Sequence, residues 1–439
     1  MSLEDYGTVS LLTASGLLLG TLFGVAPEMG VFRAAARLKI DSGAKHFLSV
    51  ASLWLLLVGP ALILVASVTL FGVNATVLQM PTSLLALEIL AIGLGLYPAY
   101  FAMPMLRASM RISYFFALSI VTILVSLALK ILLVIVLGYG PEGWVYSDLG
   151  SSGAALITAL VLVRPPITRY WRLGVHPFLK FVGPLVPHAM SVWVISQLTR
   201  PLMATFLSLE EVGAYSVAFN AASIGLLLLN EVNRVFLVDY SATSFPAPDR
   251  RLAPKARFQL LLAVAVPVAV SSASIPFNLI ALPSSYGFVA PIVSVLGMGG
   301  LFWSIYILAM NFVTNTAGDT RWSWITTLFG TVVLVGGTFV LGDLLGAIGV
   351  AIAYVACYAA MAVGSHLLAR RMRLEVSWRD AGFSAGWTVF ALVTTTTAAG
   401  ATALFEFAPV ASVFVLITCL VAAMGPMLIP IVRNRRSES

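Results

Sequence analysis

The chain has 439 residues, of which 60% are hydrophobic and only 10% are charged, and its mean hydropathy is +0.99. So little charge in so much apolar sequence excludes a soluble domain of this length and indicates a membrane protein. The net charge is +7, and the basic residues fall in alternate loops, so the charge is a topology signal rather than a sign of nucleic-acid binding.

Membrane-length apolar segments recur from one end of the chain to the other. A bilayer core about 30 Å thick needs roughly 20 apolar residues per helix, and thirteen segments reach that length. We therefore predict an all-α polytopic membrane protein with about 13 transmembrane helices. The predicted spans are 6–27, 47–72, 81–106, 112–138, 144–164, 180–204, 211–236, 257–282, 286–313, 322–342, 346–369, 381–404 and 408–432.

The first span opens a sequence repeat. Residues 3–7 align with 209–213, and residues 150–155 align with 346–351. These matches pair span one with span seven and span five with span eleven, so they indicate a unit of six spans used twice. We predict two pseudo-symmetric six-helix lobes, the first lacking its first helix, plus two C-terminal helices.

Domain boundaries follow from the repeat. We expect an N-terminal lobe of five helices (1–165), a C-terminal lobe of six helices (166–372), and two additional helices with a basic cytoplasmic tail (373–439). The second copy opens with the span at 180–204, which has no counterpart in the first copy. We therefore expect the start to be too late, or the chain to be a truncated relative.

The loops indicate orientation. Lys and Arg cluster after the odd-numbered spans, whereas the intervening loops carry no Lys or Arg and a few acidic residues. Because basic residues stay on the cytoplasmic side, we predict an external N-terminus and a cytoplasmic C-terminus. The loops are too short to fold as a catalytic domain, no phosphate-binding P-loop is present, and the four His and two Cys residues have no metal-ligand spacing. We predict that the protein is not an enzyme and holds no cofactor or metal.

Two charged residues lie inside spans three and four. Glu88 heads a face of small residues, and Lys130 ends a polar face with Ser119, Thr122 and Ser126. Each lies about 12 Å below the outer end of its span, so adjacent antiparallel spans would bring the two charges together. They either line a hydrophilic cavity or serve structure, as an ion pair or with Lys130 reaching toward the surface along its stem.

Spans six, seven and nine carry further polar residues. Span six has His188, which is either a packing residue or a proton carrier, and Arg200. One stripe of span seven holds Ser216, Asn220, Ser223, Asn230 and Arg234, with Glu231 beside it, and span nine adds Asn311. Five polar positions in register favour a cavity lining over simple helix–helix contact.

Several motifs resemble a known family. They are Gly183–Leu185, the stretch 209–218, the stretch 317–321 and the stretch 346–351. Together they resemble the polysaccharide (O-antigen-type) repeat-unit flippases of the multidrug/oligosaccharidyl-lipid/polysaccharide exporter superfamily. The resemblance implies two lobes in a V and translocation of a polyprenyl-diphosphate-linked oligosaccharide from the cytoplasmic to the outer leaflet by alternating access. The chain departs from the family in lacking helix one and in having Thr199 where many relatives place an acidic residue.

The cargo that the resemblance implies gives the polar residues roles. The cations Lys130, Arg200 and Arg234 would meet the diphosphate, and Asn220, Asn311 and Glu88 would bind sugar hydroxyls. The predicted substrate pathway consists of Glu88, Lys130, His188, Arg200, Asn220, Glu231, Arg234 and Asn311.

The resemblance also implies location and partners. We expect a multi-pass protein of the cell (inner or plasma) membrane, acting in surface polysaccharide biosynthesis. Its partners would be the lipid-linked oligosaccharide, membrane lipids, and a glycan polymerase and co-polymerase, with no nucleic acid. Two alternatives stay open: a cation- or proton-coupled multidrug exporter of the same superfamily, and a truncated membrane protein that transports nothing.

Overall fold

A computed structural model describes the backbone over residues 1–37, 43–73, 75–242, 252–316, 323–372 and 383–437. Within these ranges, the side chains of residues 36–37, 188, 191–192, 238, 241–242, 315–316, 323 and 426–437 are not described. In the described part of the chain, nine helices are long and apolar enough to cross a membrane, and the longest, at Trp324–Arg371, has 48 residues.

Helices fill almost all of the described chain, which confirms the predicted all-α membrane fold. The first nine are α1 (Leu3–Ala35), α2 (Gly43–Gly72), α3 (Thr82–Ala108), α4 (Ile112–Val136), α5 (Gly140–Leu162), α6 (175–203), α7 (Leu209–Ala242), α8 (Leu252–Ala281) and α9 (Ala290–Thr314). Four follow: α10 (323–345), α11 (347–371), α12 (Ala385–Ala403) and α13 (Pro409–Ser437).

The longest helical stretch is two spans folded into a hairpin. Gly346 has a φ of 60° and a ψ of −144°, a conformation that glycine adopts without strain and that ends a helix. A Cβ on Gly349 would lie 1.8 Å from the Leu341 carbonyl oxygen, and one on Gly337 would lie 2.9 Å from the Ala353 Cβ. These contacts are antiparallel about the turn, so α10 and α11 are the separate spans that the sequence predicted.

The chain divides into two compact units, Met1–Gly213 and Ala214–Ser439. In the first unit, the two residues that the repeat aligns touch each other symmetrically. A Cβ on Gly7 would lie 2.1 Å from the Leu209 carbonyl oxygen, and one on Gly213 would lie 2.0 Å from that of Leu3. This reciprocal contact has the form of a pseudo-two-fold relation between the starts of α1 and α7, as expected of repeated units.

The helix α6 is interrupted and packs within the first unit. Its α-helical turns break at a 3-10 turn, Gly183–Leu185. The Trp193 indole donates to the Ala14 carbonyl at 3.0 Å, and the Phe178 ring lies 6.0 Å from that of Trp54. Contacts with α1 and α2 therefore place α6 in the first compact unit, whereas the lobe boundaries at 165 and 372, which follow the repeat, stay a prediction.

Short π-helical turns interrupt α1 and α2, and the sequence did not predict them. They cover Thr21–Val25 and Trp54–Val58. A π turn leaves a backbone group without its usual helical partner, and the Trp54 indole donates to the Phe23 carbonyl at 3.0 Å. A side chain of the α2 turn therefore satisfies a backbone carbonyl of the α1 turn and joins the two helices at this level.

A small β-hairpin joins α2 to α3. Thr76–Val77 pairs with Met80–Pro81 in antiparallel fashion, and the turn residues Leu78 and Gln79 have positive φ values of 50° and 63°. The Gln79 amide donates to the Ala204 carbonyl at 2.8 Å. This anchor to the end of α6 offsets the backbone strain of a turn that has no glycine.

In the second unit, the two C-terminal helices pack against α8. Buried Ala263 and Val268 of α8 share one apolar cluster with Ala391 of α12 and Leu416 of α13. The stacked rings of Phe288 and Phe405, 5.8 Å apart, close the same cluster at one end. The additional helices are thus part of the second unit's core.

The orientation given by the basic loops is tested with reporter fusions. We expect fusions at Asn74 and Ser285 to report an external location, and fusions at Ala247 and the C-terminus to report a cytoplasmic one, because Lys and Arg stay inside. Paired alkaline phosphatase and green fluorescent protein fusions give opposite signals on the two sides. A cytoplasmic signal at Asn74 would contradict the predicted topology.

Candidate functional site

Lys130 forms an ion pair inside the first unit. Its Nζ lies 2.9 Å from Asp148 Oδ1 and 3.9 Å from the centroid of the Trp144 ring. Asp148 belongs to α5, which begins at Gly140. The two side chains are 26% and 23% exposed, so the pair is largely removed from the surface.

Glu88 lies near this ion pair but forms no salt bridge with Lys130 in the described part of the chain. Its side chain is 2% exposed, and its Oε2 has no hydrogen-bond partner among the described residues. It interacts electrostatically with Asp148 and Lys130. The sequence predicted that Glu88 and Lys130 would lie close, but the structure gives Lys130 a different salt-bridge partner, because α4 and α5 pack as a hairpin.

Trp144 completes the cluster from α5. The face of its ring stabilises the Lys130 cation, while its indole Nε1 is buried and has no acceptor among the described residues. This cluster thus holds one cation, two carboxylates and an indole donor among the helices of the first unit. Two of these polar atoms, Glu88 Oε2 and Trp144 Nε1, are buried and have no hydrogen-bond partner among the described residues.

Two residues of the predicted substrate pathway, His188 and Arg200, lie in α6, and the structure describes the side chain of Arg200. Arg200 is buried, and its guanidinium donates to the Gln197 side chain and, at 3.5 Å, to the Ser196 carbonyl. The neighbouring Thr199 is fully buried. The side chain of His188 lies outside the described residues, so its predicted role stays a prediction. Local hydrogen bonds hold Arg200 against its own helix.

The polar stripe of α7 divides into exposed and buried parts. Asn220, Glu231 and Arg234 are exposed, whereas Ser216 is fully buried. Arg234 Nη1 lies 2.8 Å from Glu231 Oε1, with the two side chains 70% and 51% exposed. The middle of the exposed face is apolar, with Ile224, Leu227 and Leu228.

Asn311 lies in a buried amide network of the second unit. Its Nδ2 donates to Asn233 Oδ1 at 2.7 Å, and Gln259 Nε2 donates to the same oxygen at 2.8 Å. Gln259 Oε1 in turn accepts from the Tyr240 hydroxyl at 2.7 Å. Because Asn311 is only 4% exposed, it joins α7, α8 and α9 in this conformation rather than lining an open surface.

Sequence reasoning missed Asp148, Trp144, Asn233 and Gln259. A signal for the first was present: Lys130 and Asp148 are equally distant from Tyr139, which lies in the turn between α4 and α5. Antiparallel helices bring such residues to the same level. No comparable signal identifies Asn233 and Gln259, because nine residues separate α7 from α8 and the sequence marks no turn centre from which to count.

A family model and several solved structures match the chain. The model of a polysaccharide biosynthesis protein family matches residues 1–282, which is more than half of the chain. No curated protein matches the sequence. The fold is similar to that of lipid II flippase MurJ in an inward closed conformation, with a TM-score of 0.69 and 15% identity over 98% of this chain and 94% of that one.

The fold is also similar to that of transporters of the MOP superfamily. An inward-facing multidrug resistance MATE family transporter matches with a TM-score of 0.57 and 17% identity, over 85% of this chain and 95% of that one. An outward-facing one matches with a TM-score of 0.52 and 19% identity, over 84% of this chain and 85% of that one. At such identities, these structures establish the fold alone.

The described residues combine long apolar helices with a few polar side chains, as expected of a membrane protein with this fold. The helices form a multi-pass membrane protein, and its polar groups are cations, carboxylates and amides placed among apolar helices. The family model describes a polysaccharide biosynthesis protein, and the solved structures of similar fold are membrane transporters and a lipid flippase. The chain belongs to the polysaccharide biosynthesis protein family, and its fold is similar to that of lipid II flippase MurJ and of MATE transporters of the MOP superfamily.

Proposed function

We propose that this protein translocates a polyprenyl-diphosphate-linked oligosaccharide from the cytoplasmic to the outer leaflet by alternating access. The cargo, once outside, would be the substrate of a glycan polymerase and co-polymerase that build a surface polysaccharide. The family match supports a role in polysaccharide biosynthesis. The cargo class is supported by the cations that each unit presents within its helices.

The observation that carries this proposal is the exposed guanidinium of Arg234. It is 70% exposed on a helix face whose middle is apolar, and Glu231 is its ion-pair partner. A charge exposed to hydrocarbon costs several kcal/mol unless water or an anion meets it. Arg234 lies about two turns from the predicted cytoplasmic end of α7. This is the level at which the diphosphate of an inner-leaflet lipid would arrive.

Lys130 supplies a second cation near the other side of the membrane. It lies about two turns from the predicted outer end of α4, beside the Trp144 ring and between two carboxylates. A diphosphate crossing hydrocarbon without such groups would lose its hydration without compensation. Cations near both faces therefore suit an anionic head group that enters at one side and leaves at the other.

A second candidate function, export of cationic drugs, has its own support. Glu88 is a buried carboxylate with one oxygen that lacks a partner among the described residues, and Glu231 presents a second carboxylate beside apolar side chains. A cationic amphiphile would be attracted to such groups. The cargo test therefore includes a cationic dye.

The test uses the purified protein in proteoliposomes. A polyprenyl-diphosphate oligosaccharide with a reducible fluorophore on the sugar is added, and dithionite, which does not cross the membrane, reports the leaflet of the label. We expect the protein to expose label that protein-free vesicles protect, and to leave in place a neutral polyprenyl glycoside that lacks the diphosphate.

Each contrary result identifies an alternative. Ethidium movement driven by an ion gradient, without movement of the lipid-linked sugar, would establish the drug-exporter function and overturn the proposal. Movement of neither compound by folded protein would indicate a membrane protein that does not transport these classes.

A further inference from the structure

A groove opens between α10 and α11 of the second unit, at the predicted cytoplasmic ends of these two helices. Its volume is about 450 Å³. The lining includes Ile325 and Phe329 of α10 and Val363, Gly364, Leu367 and Arg371 of α11. Among the described residues that line it, Arg371 is the charged one, and no carboxylate takes part.

The groove is closed toward the helix pair and open on its other side. At its floor, a Cβ on Gly364 would lie 3.5 Å from Thr326 Cγ2, so the two helices are in contact there. The wall residues Phe329, Val363 and Leu367 are 52%, 56% and 57% exposed. In a bilayer these side chains would meet lipid, so an apolar chain can lie along the groove.

The groove stays within the cytoplasmic half of both helices. Phe329 lies about 9 Å from the start of α10 at residue 323, and Val363 lies about 12 Å from the end of α11 at residue 371. One leaflet of the hydrocarbon core is about 15 Å thick. The lining therefore ends before the bilayer centre and has the length of a chain that belongs to one leaflet.

A cation stands at the cytoplasmic end of this lining. Arg371 is exposed, and so is its neighbour Arg370. A guanidinium binds a phosphate through two parallel hydrogen bonds, and basic pockets between membrane helices on the cytoplasmic side attract anionic lipid head groups. Trp324, at the same end of α10, is 55% exposed, and exposed Trp residues are typical of the head-group level of a bilayer.

We propose that this groove binds an anionic phospholipid of the cytoplasmic leaflet, with its phosphate on Arg371 and one acyl chain along Phe329, Val363 and Leu367. Since the chain exchanges hydrocarbon for hydrocarbon, apolar burial contributes little to the affinity. The head group therefore provides the selectivity. The site would be occupied whether or not the protein moves the proposed cargo, so the inference goes beyond the proposed function.

Photo-crosslinking of the full chain in phosphatidylcholine nanodiscs tests this site. The probe is phosphatidylglycerol with a diazirine on one acyl chain, present at a low mole fraction, and labelled peptides are identified by mass spectrometry. We expect labelling to concentrate within residues 325–329 and 363–372. Unlabelled phosphatidylglycerol should displace it, and the same amount of phosphatidylethanolamine, which has no net charge, should not.

A charge variant and a matched control test the head-group contact. Arg371→Gln should lower labelling of the two segments about fivefold, the contribution of one basic residue near an anionic lipid surface. The thermal transition should stay unchanged, because Arg371 is exposed. Arg257→Gln removes an exposed cation from the predicted cytoplasmic end of α8, outside the groove lining, and should leave labelling as it is.

A second pair of variants tests the apolar part of the groove. Val363→Trp adds an indole to the exposed wall and should also lower labelling of the two segments, because it occupies the path of the chain. Val332→Trp adds the same group to α10 at a position that is 61% exposed and outside the lining. It should leave labelling unchanged.

Several results would overturn the site. Equal displacement by phosphatidylethanolamine, or unchanged labelling of Arg371→Gln, would identify an ordinary lipid contact without head-group recognition. Labelling spread over other helices would place the lipid elsewhere. Stronger displacement by polyprenyl diphosphate than by phosphatidylglycerol would assign the groove to the cargo. Loss of translocation in proteoliposomes, with displaceable labelling intact, would overturn the proposed function and support the lipid site.

Discussion

Replacing Lys130 by Met is expected to abolish export and to destabilise the first unit. Methionine keeps most of the apolar stem but leaves Asp148 and Glu88 without their cation. Removing one partner of a buried ion pair costs about 3–5 kcal/mol. Because the two side chains are about one quarter exposed, we expect the free energy of unfolding to fall by about 2 kcal/mol. A thermal shift of the purified protein measures this loss.

The loss of export has a separate cause. Truncating a charge that contacts an oppositely charged group in a desolvated site costs on the order of 2–5 kcal/mol, or ~30-fold or more in binding. If Lys130 meets the diphosphate, translocation in proteoliposomes should fall by at least this factor. Lys130→Arg keeps the charge and should retain part of the activity.

A double variant distinguishes the two effects. Lys130→Met/Asp148→Asn removes both charges of the pair, so no new unpaired carboxylate is created at Asp148. We expect most of the lost stability to return while export stays absent. Normal export by the double variant would show that Lys130 only neutralises Asp148, and the proposed contact with the diphosphate would be wrong.

The transmembrane fold was predictable because the bilayer imposes its own length and polarity on every span. Thirteen apolar segments correspond to α1–α13, and the split at Gly346 separates α10 from α11 as predicted. The repeat was readable for a related reason: Gly7 and Gly213 each permit close backbone contact at equivalent helix starts. Such contacts tolerate few other residues, so the motif survives in both copies.

Which polar side chains contact one another was less predictable than the transmembrane fold. In a membrane, lipid is as apolar as the protein core, so an apolar pattern does not reveal which helix face packs against a neighbour. Asn311 and Asn220 are both asparagines in apolar helices, yet one is buried in an amide network and the other is exposed. Likewise, the helical register that joins Lys130 to Asp148 depends on the short turn between α4 and α5.

Replacing Arg234 by Gln is expected to stop export without destabilising the protein. The Arg234–Glu231 pair is largely exposed, and pairs of this kind contribute about 0–1 kcal/mol to stability. The free energy of unfolding should therefore change by less than about 1 kcal/mol. Export should fall ~30-fold or more, because the cargo loses its cation at the cytoplasmic side.

A matched control comes from the neighbouring helix. Lys255 of α8 also forms an ion pair, with Nζ 2.5 Å from Asp239 Oδ1, and it is also partly exposed. Lys255→Gln removes a cation from the same unit at the predicted cytoplasmic end but leaves the Arg234–Glu231 pair unchanged. We expect this variant to keep export near the level of the unaltered protein, which would show that overall charge is not the cause.

A variant of Glu231, the ion-pair partner of Arg234, tests whether the cation or the ion pair is required for export. Glu231→Gln removes the same ion pair but keeps the guanidinium, so the cation remains available to the diphosphate. We expect a much smaller loss of export than for Arg234→Gln, and Arg234→Lys should fall between them because ammonium makes fewer simultaneous hydrogen bonds than guanidinium. Equal loss in Arg234→Gln and Glu231→Gln would mean that the pair itself, rather than the cation, is required. In that case Arg234 would position α7, and the diphosphate would have to be bound by other residues.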